Sequence, residues 1–298
     1  MNIKSVLKLV EVKTLAAGLF PVLLGSVYSF YEYEKINYFY LIALVIAMAL
    51  IQASTNMFND FMDFHRGEDK EKSIDEKVLV SGELKASQIP FLIALCMGFA
   101  LIIGLIIASQ TSWKILLVAV IGAGVAGLYS SGPKPISYTP FGEIIAGITM
   151  GMGITSTVVF IQSEQFQWQN IWMAVPTTIY ISYILLTNNL CDREKDMISG
   201  RHTFPGIIGF KRAKNIWLLC CGVLAATTTA LVIAHIYPIW TLLTLIILWN
   251  YKFLFNIKQY EQEEFQKQKM MGVIGKIGAQ FHILLISGFL IAIIIKTF

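Results

Sequence analysis

The sequence predicts an all-α, polytopic membrane bundle of nine transmembrane helices, and three observations predict it. Of 298 residues, 56% are hydrophobic and only 14% charged, where charged residues make up about a quarter of an ordinary globular chain. The apolar residues gather into nine stretches that approach the roughly 20 residues a helix needs to cross a bilayer. In that topology 20 of the 23 lysines and arginines fall on one face, the asymmetry that orients helical membrane proteins. The formal net charge of +4, with bases and acids interleaved, excludes a nucleic-acid binder, so the expected partners are membrane lipid and small molecules.

Taken in order, the stretches are 15–30, 38–57, 89–108, 113–129, 142–161, 171–190, 215–234, 238–255 and 281–295. Helices are the expected form because lipid offers no partners for exposed backbone groups, and the stretches lack the alternation of barrel strands. Lys4, Lys8 and Lys13 precede the first, whereas Lys35 and Lys114 lie in the connections that follow the first and third. Bases return between Arg66 and Lys85, at Lys134, between Arg193 and Lys214 and between Lys252 and Lys276, and Lys296 closes the chain. This places the N-terminus and the even-to-odd loops in the cytoplasm of a plasma-membrane protein, the C-terminus opposite. A cleaved signal peptide is the competing reading of the first stretch; it would leave eight spans. One integral-membrane domain covers 1–298, with 259–276 read as a cytoplasmic surface helix or loop. Cys96, Cys191, Cys220 and Cys221 show neither a zinc spacing nor a disulfide framework and are expected to be reduced.

Acidic residues concentrate after the second and sixth stretches. The first cluster contains Asn56, Asn59, Asp60, Asp63 and Asp69; the second contains Asn188, Asn189, Asp192 and Asp196. On a continuing helix Asn56, Asp60 and Asp63 share a face, and Asn188, Asp192 and Asp196 form an i, i+4, i+8 stripe. Because the stretches that carry the clusters are four apart and run in the same direction, helices 1–4 and 5–8 read as a parallel pseudo-repeat that brings the clusters face to face. Carboxylates one turn apart near a low-dielectric bilayer repel, so something positive should bind between them. Oxygen ligands without cysteine or histidine favour Mg2+, which is usually held by one or two carboxylates while phosphates and water complete its shell. Solvated loop charge is the bland alternative and is preferred for Glu68, Glu71, Asp75, Glu76 and Glu83.

Lys13, Arg66, Lys77, Lys134, Arg193 and Arg201 lie on the same expected face and could hold phosphate, although loop bases also serve topology. Lys134 is best placed, in the tight Gly132-Pro133-Lys134-Pro135 turn at a helix end. Tyr138 reads as an interfacial anchor or a substrate contact. His65 and His202 lie near the clusters without metal spacing; His235 and His282 read as interfacial or packing residues.

These residues resemble the UbiA superfamily of intramembrane prenyltransferases, and within it the branch that prenylates 1,4-dihydroxy-2-naphthoate in menaquinone synthesis. The likeness runs through Lys13-Thr14-Leu15, Pro21-Val22-Leu23-Leu24-Gly25, Asn59-Asp60-x-x-Asp63-x-x-x-Gly67-x-Asp69, Val80-Ser81-Gly82 and Gly132-Pro133-Lys134-Pro135 with Tyr138, Gly142 and Glu143. Asn188-Asn189-x-x-Asp192-x-x-x-Asp196 with Gly200-Arg201-x-Thr203 completes it. Cys191 and Lys77 stand where that branch usually carries arginine, and both changes touch recognition of the aromatic acid.

The resemblance implies Mg2+-dependent transfer of a polyprenyl group from polyprenyl diphosphate to the aromatic acceptor, with loss of carbon dioxide and diphosphate. It implies metal ligation by Asp60, Asp63, Asp69, Asp192 and Asp196, supported by Asn56, Asn59 and Asn188. Lys13, Lys134 and Arg66 would stabilise the diphosphate, and Tyr129 or Tyr138 the allylic cation or ring. Other acceptors, 4-hydroxybenzoate or homogentisate, stay open. A transporter of a metal-bound anion is the alternative of another class, disfavoured because its site would be expected near the midplane on broken helices.

Overall fold

The computed structural model describes residues 3–10, 15–67 and 78–297, and every regular element among them is helical. Two compact units form, one from Met1–Val22 with Asn37–Pro135 and the other from Leu23–Ile36 with Ile136–Phe298. The boundary at Pro135 falls between the fourth and fifth apolar stretches, while Leu23–Ile36, which holds part of the first stretch, belongs to the second unit.

All nine stretches are helical. Among the described residues six helices are long and apolar enough to cross a membrane: Tyr38–Arg66, Ala86–Gln110, Gly142–Ser163, Gln169–Cys191, Ile239–Ile257 and Lys267–Thr297. A bent pair, Phe210–Leu218 with Cys220–Ile233, raises the number to seven. Lys114–Ser130 is apolar but shorter, and Leu15–Tyr33 carries the first stretch. Outward side chains such as Val120 (68% exposed) and Leu117 (63%) are apolar while threonines 155, 177, 187 and 241 are fully buried, the inside-out distribution expected of a chain whose surroundings are lipid.

In the first unit Asn37 starts the Tyr38–Arg66 helix by accepting from the Phe39 and Tyr40 amides, and Gly67 stops it in the left-handed region at φ 74°. This helix packs along Ile89–Gln110. Under its C-terminal end lies an apolar cluster of Leu9, Ala53, Met57, Val78, Leu79, Leu84, Ile89 and Leu92. The short Ile3–Leu9 helix joins it through Leu9 and exposes Lys4 and Lys8. Ser5 Oγ donates to Glu83 Oε2 at 2.6 Å, and Lys8 Nζ stands 3.8 Å from the other oxygen.

The second unit departs from straight helices in several places, three of which have a clear local cause. Residues Gly147–Gly153 wind as a π-helix against Val175–Cys191; a Cβ on Gly151 would lie 2.5 Å from Thr178 Cα, so this contact requires glycine. The bend of 43° at Leu219 occurs where side chains enter the backbone ladder. Tyr183 Oη donates to the Ile216 carbonyl at 2.9 Å, and the Gly222 amide donates to Tyr251 Oη at 3.0 Å. Ile239–Asn250 is a 3-10 helix, in which the buried Thr241 and Thr244 hydroxyls donate to carbonyls three residues back. The last helix, Lys267–Thr297, begins well before the expected 281 and absorbs much of the segment expected to lie on the surface. His282 is a packing residue: its ring nitrogens meet the Gly278 carbonyl and the Thr177 hydroxyl.

Candidate functional site

The first carboxylate set sits on the last turns of an unbroken helix. Helical spacing places Gln52, Asn56, Asn59, Asp60 and Asp63 on one arc, a polar stripe that starts at the buried Gln52 and ends at half-buried carboxylates. Neighbours hold the asparagines. Asn56 Nδ2 donates to the Val10 carbonyl at 2.7 Å while its Oδ1 accepts from Gln52, and Ser130 Oγ donates to Asn59 Oδ1. These bonds fix the amides beside Asp60 and Asp63.

The second set sits on a broken helix. Val175–Cys191 ends at Asp192, whose φ −91° and ψ 4° lie outside the helical region, and Arg193–Ile198 starts immediately after it. The expected continuous stripe through Asn188, Asp192 and Asp196 is therefore kinked at its middle. Amide bonds from Asp192 to Asn188 and from Asp196 to Asp192 nevertheless keep the register. Asp192 Oδ2 accepts from Lys267 Nζ at 2.5 Å. Asp196 is 5% exposed and faces Arg201 Nε at 3.4 Å, while the Arg201 guanidinium also covers the Tyr138 ring at 5.1 Å. Asn189, buried beside them, donates to Glu143 Oε1 at 2.8 Å, and Glu143 Oε2 has no hydrogen-bond partner among the described residues.

The other expected residues divide. Lys134 is exposed in its turn, Tyr129 and Arg66 are half-buried at helix ends, and Asn188 is half-buried. Arg193 is used structurally, its Nε donating to the Pro205 carbonyl at 3.1 Å. Lys13, Asp69 and Lys77 lie outside the described residues. His65 and His202 bond to nearby carbonyls, and all four cysteines are free. Lys267 and the Glu143–Asn189 pair gained no role from sequence. Glu143 could have been flagged as a carboxylate at the start of an apolar run; Lys267, 75 residues from Asp192, gave no linear signal.

Among the described residues no group of three or more His, Cys, Asp or Glu is gathered to hold a metal. Mg2+ is typically held by one or two carboxylates, with water and phosphate in its other positions. The oxygen donors on hand, carboxylates and amides, are of the hard type this ion prefers.

The UbiA prenyltransferase family matches residues 18–274. A 1,4-dihydroxy-2-naphthoate octaprenyltransferase of Bacillus subtilis is 35% identical over 204 residues, 68% of this chain and 65% of its own length. The counterpart in Mycobacterium leprae is 28% identical over 71% of this chain and 73% of its own length. Thus the chain spans somewhat less than two thirds of the first of these relatives. Among solved structures, a UbiA homolog from Archaeoglobus fulgidus bound to GPP and Mg2+ superposes with a TM-score of 0.71 at 15% identity, over 96% of this chain and 99% of that one, which shows the shared fold.

Proposed function

The chain belongs to the UbiA prenyltransferase family, and from that premise we propose that it transfers a polyprenyl group from polyprenyl diphosphate to 1,4-dihydroxy-2-naphthoate, dependent on Mg2+. The products are carbon dioxide, diphosphate and a demethylmenaquinone-type compound in its quinol form. The observation that carries the reading is the pair of Asn/Asp sets at the ends of two apolar helices, in a chain similar to naphthoate octaprenyltransferases of two bacteria. The Archaeoglobus homolog bound to GPP and Mg2+ supports the donor class and the metal.

In this proposal Asp60, Asp63, Asp69, Asp192 and Asp196 are the metal-holding carboxylates, steadied by Asn56, Asn59 and Asn188. The bound metal would neutralise charge developing on the leaving diphosphate. Lys13, Arg66 and Lys134 add positive charge to the same group, where preorganised cations lower the cost of that charge. Tyr129 or Tyr138 would stabilise the allylic cation or hold the acceptor ring, and apolar surroundings would keep water from capturing the cation. Attack by the electron-rich ring carbon bearing the carboxylate forms the carbon–carbon bond, and loss of carbon dioxide returns the electron pair to the ring. Lys77, Arg193 and Arg201 are proposed to assist recognition of the anionic groups.

The proposal includes nine crossings with the N-terminus and the carboxylate ends cytoplasmic and the C-terminus opposite, supported by nine helical stretches and the one-sided bases. Reporter fusions after Lys35 and after Lys296 test this part: both should read as non-cytoplasmic, and a cytoplasmic signal at either would break the topology. For the chemistry, purified protein in lipid receives Mg2+, octaprenyl diphosphate and either the naphthoate or 4-hydroxybenzoate, and products are identified by mass. A prenylated, decarboxylated naphthalene product lost on chelation is expected. Product only from hydroxybenzoate would overturn the acceptor, and no product from either would overturn the reaction.

A further inference from the structure

The segment between Ile257 and Lys267 is fastened to the helix end that carries Asp192. Lys214 is 4% exposed and donates to the carbonyls of Lys258 and Tyr260. Gln262 Nε2 donates to the Leu190 carbonyl at 3.1 Å. Phe265, 1% exposed, meets the rings of Trp217 and Phe210 edge-on at 5.3 and 5.6 Å, and Trp217 Nε1 in turn donates to Thr187 Oγ1, on the residue before Asn188. These contacts deliver Lys267 to Asp192 Oδ2 at 2.5 Å. Helix energetics do not explain a lysine there, because it lies in the first turn of Lys267–Thr297, the positive end of the helix dipole. Its side chain stays 47% exposed while that of Asp192 is 19% exposed, so the ammonium faces outward from the carboxylate it touches.

We propose that Lys267 is an exchangeable counter-ion of the donor site: it competes with a divalent cation for Asp192 Oδ2 and, when the cation takes that oxygen, serves as a diphosphate-binding group. A divalent ion at the roughly 2 Å such ions require would stand within a few ångströms of the ammonium on the same oxygen, and repulsion between the two cations disfavours joint occupancy. A lysine released from the carboxylate stays tethered by the 258–266 segment, and its flexible stem and three donors suit a phosphate oxygen. The exchange keeps Asp192 neutralised in both situations and places positive charge beside the leaving group. This rests on the proposed prenyl-diphosphate chemistry for its physiological ligand, but its test does not.

Wild-type full-length protein in nanodiscs is compared with Lys267→Gln and Lys267→Arg for Mn2+ affinity by electron paramagnetic resonance and for inorganic pyrophosphate affinity with saturating Mg2+ by calorimetry. Lys267→Gln should bind Mn2+ about 5- to 10-fold more tightly, because the competing cation is gone, and pyrophosphate about 10-fold more weakly, because a charge-assisted contact is lost. Lys267→Arg should stay near wild type in both. Where turnover is measurable, Lys267→Gln should raise KM for the donor more than it lowers kcat. A protein damaged by the substitution would lose both affinities together, so opposite shifts mark the exchange. Unchanged or weaker Mn2+ binding in Lys267→Gln overturns the competition, and unchanged pyrophosphate binding overturns the transfer. If both shifts occur in a protein that forms no prenylated product, the counter-ion role stands and the reaction assignment falls.

Discussion

The two carboxylate-bearing helix ends look alike in sequence and are supported differently. At Asp60 and Asp63 the helix runs unbroken to Arg66, and the support reaches the neighbouring amides, through Val10, Gln52 and Ser130. At Asp192 and Asp196 the helix kinks, and the support reaches the acids themselves, through Lys267 and Arg201. Bonds to asparagine orient the amides beside a ligand set, and bases on carboxylates cancel charge that a metal would otherwise cancel. The bonds described at the first end thus position its amides, and those described at the second pair its acids with bases.

Substitution separates these roles, and the largest effects are expected on turnover. Asp63→Ala and Asp192→Ala should each lower kcat/KM by about 10²- to 10³-fold, the scale of losing one electrostatic stabiliser of a transition state. Prenyl transfer in lipid with saturating donor measures this, and near-wild-type turnover in either variant would remove that end from the site. Stability should discriminate next. Arg201→Met removes the cation facing the buried Asp196 and should cost about 3 kcal/mol, whereas Ser130→Ala loses one hydrogen bond to Asn59 and should cost about 1 kcal/mol. Denaturation in matched detergent reads both, and equal losses would erase the contrast between the ends.

The smallest effect concerns the segment that braces the first end. The Ser5 hydroxyl, together with the nearby Lys8 ammonium, holds the Glu83 carboxyl below its ordinary value of 4.5. A depressed carboxyl contributes stability that is present above the unfolded value and lost as pH falls through the folded one. Amide exchange of the Ile3–Leu9 helix should therefore quicken below about pH 4.5, and Ser5→Ala should flatten that dependence. An unchanged profile in Ser5→Ala would show that Glu83 does not anchor the helix.

Much of the fold was legible because burial in lipid leaves a coarse signature. Each apolar stretch became helical, and Asp60 and Asp63 fell on a continuing helix as their spacing implied. The departures share a cause that spacing cannot carry: Gly151 against Thr178, Tyr183 on the Ile216 carbonyl and Tyr251 on the Gly222 amide are contacts between distant parts of the chain, and they produce or accommodate the π segment and the bend. Sequence treated Asn188, Asp192 and Asp196 as one stripe because periodicity assumes a straight helix, and the junction at Asp192 breaks that assumption.

By itself the sequence determined the helical class, the apolar stretches and the identity of the Asn/Asp sets, because hydrophobic burial and helical periodicity act over neighbouring residues. Only the tertiary structure decided what those sets touch: Arg201 on Asp196, Glu143 on Asn189, and Lys267 brought across 75 positions to Asp192. The physical reason is range. A helix is specified by groups three or four residues apart, whereas the charge state of a buried carboxylate is set by whatever cation packing delivers within a few ångströms, wherever it stands in the chain.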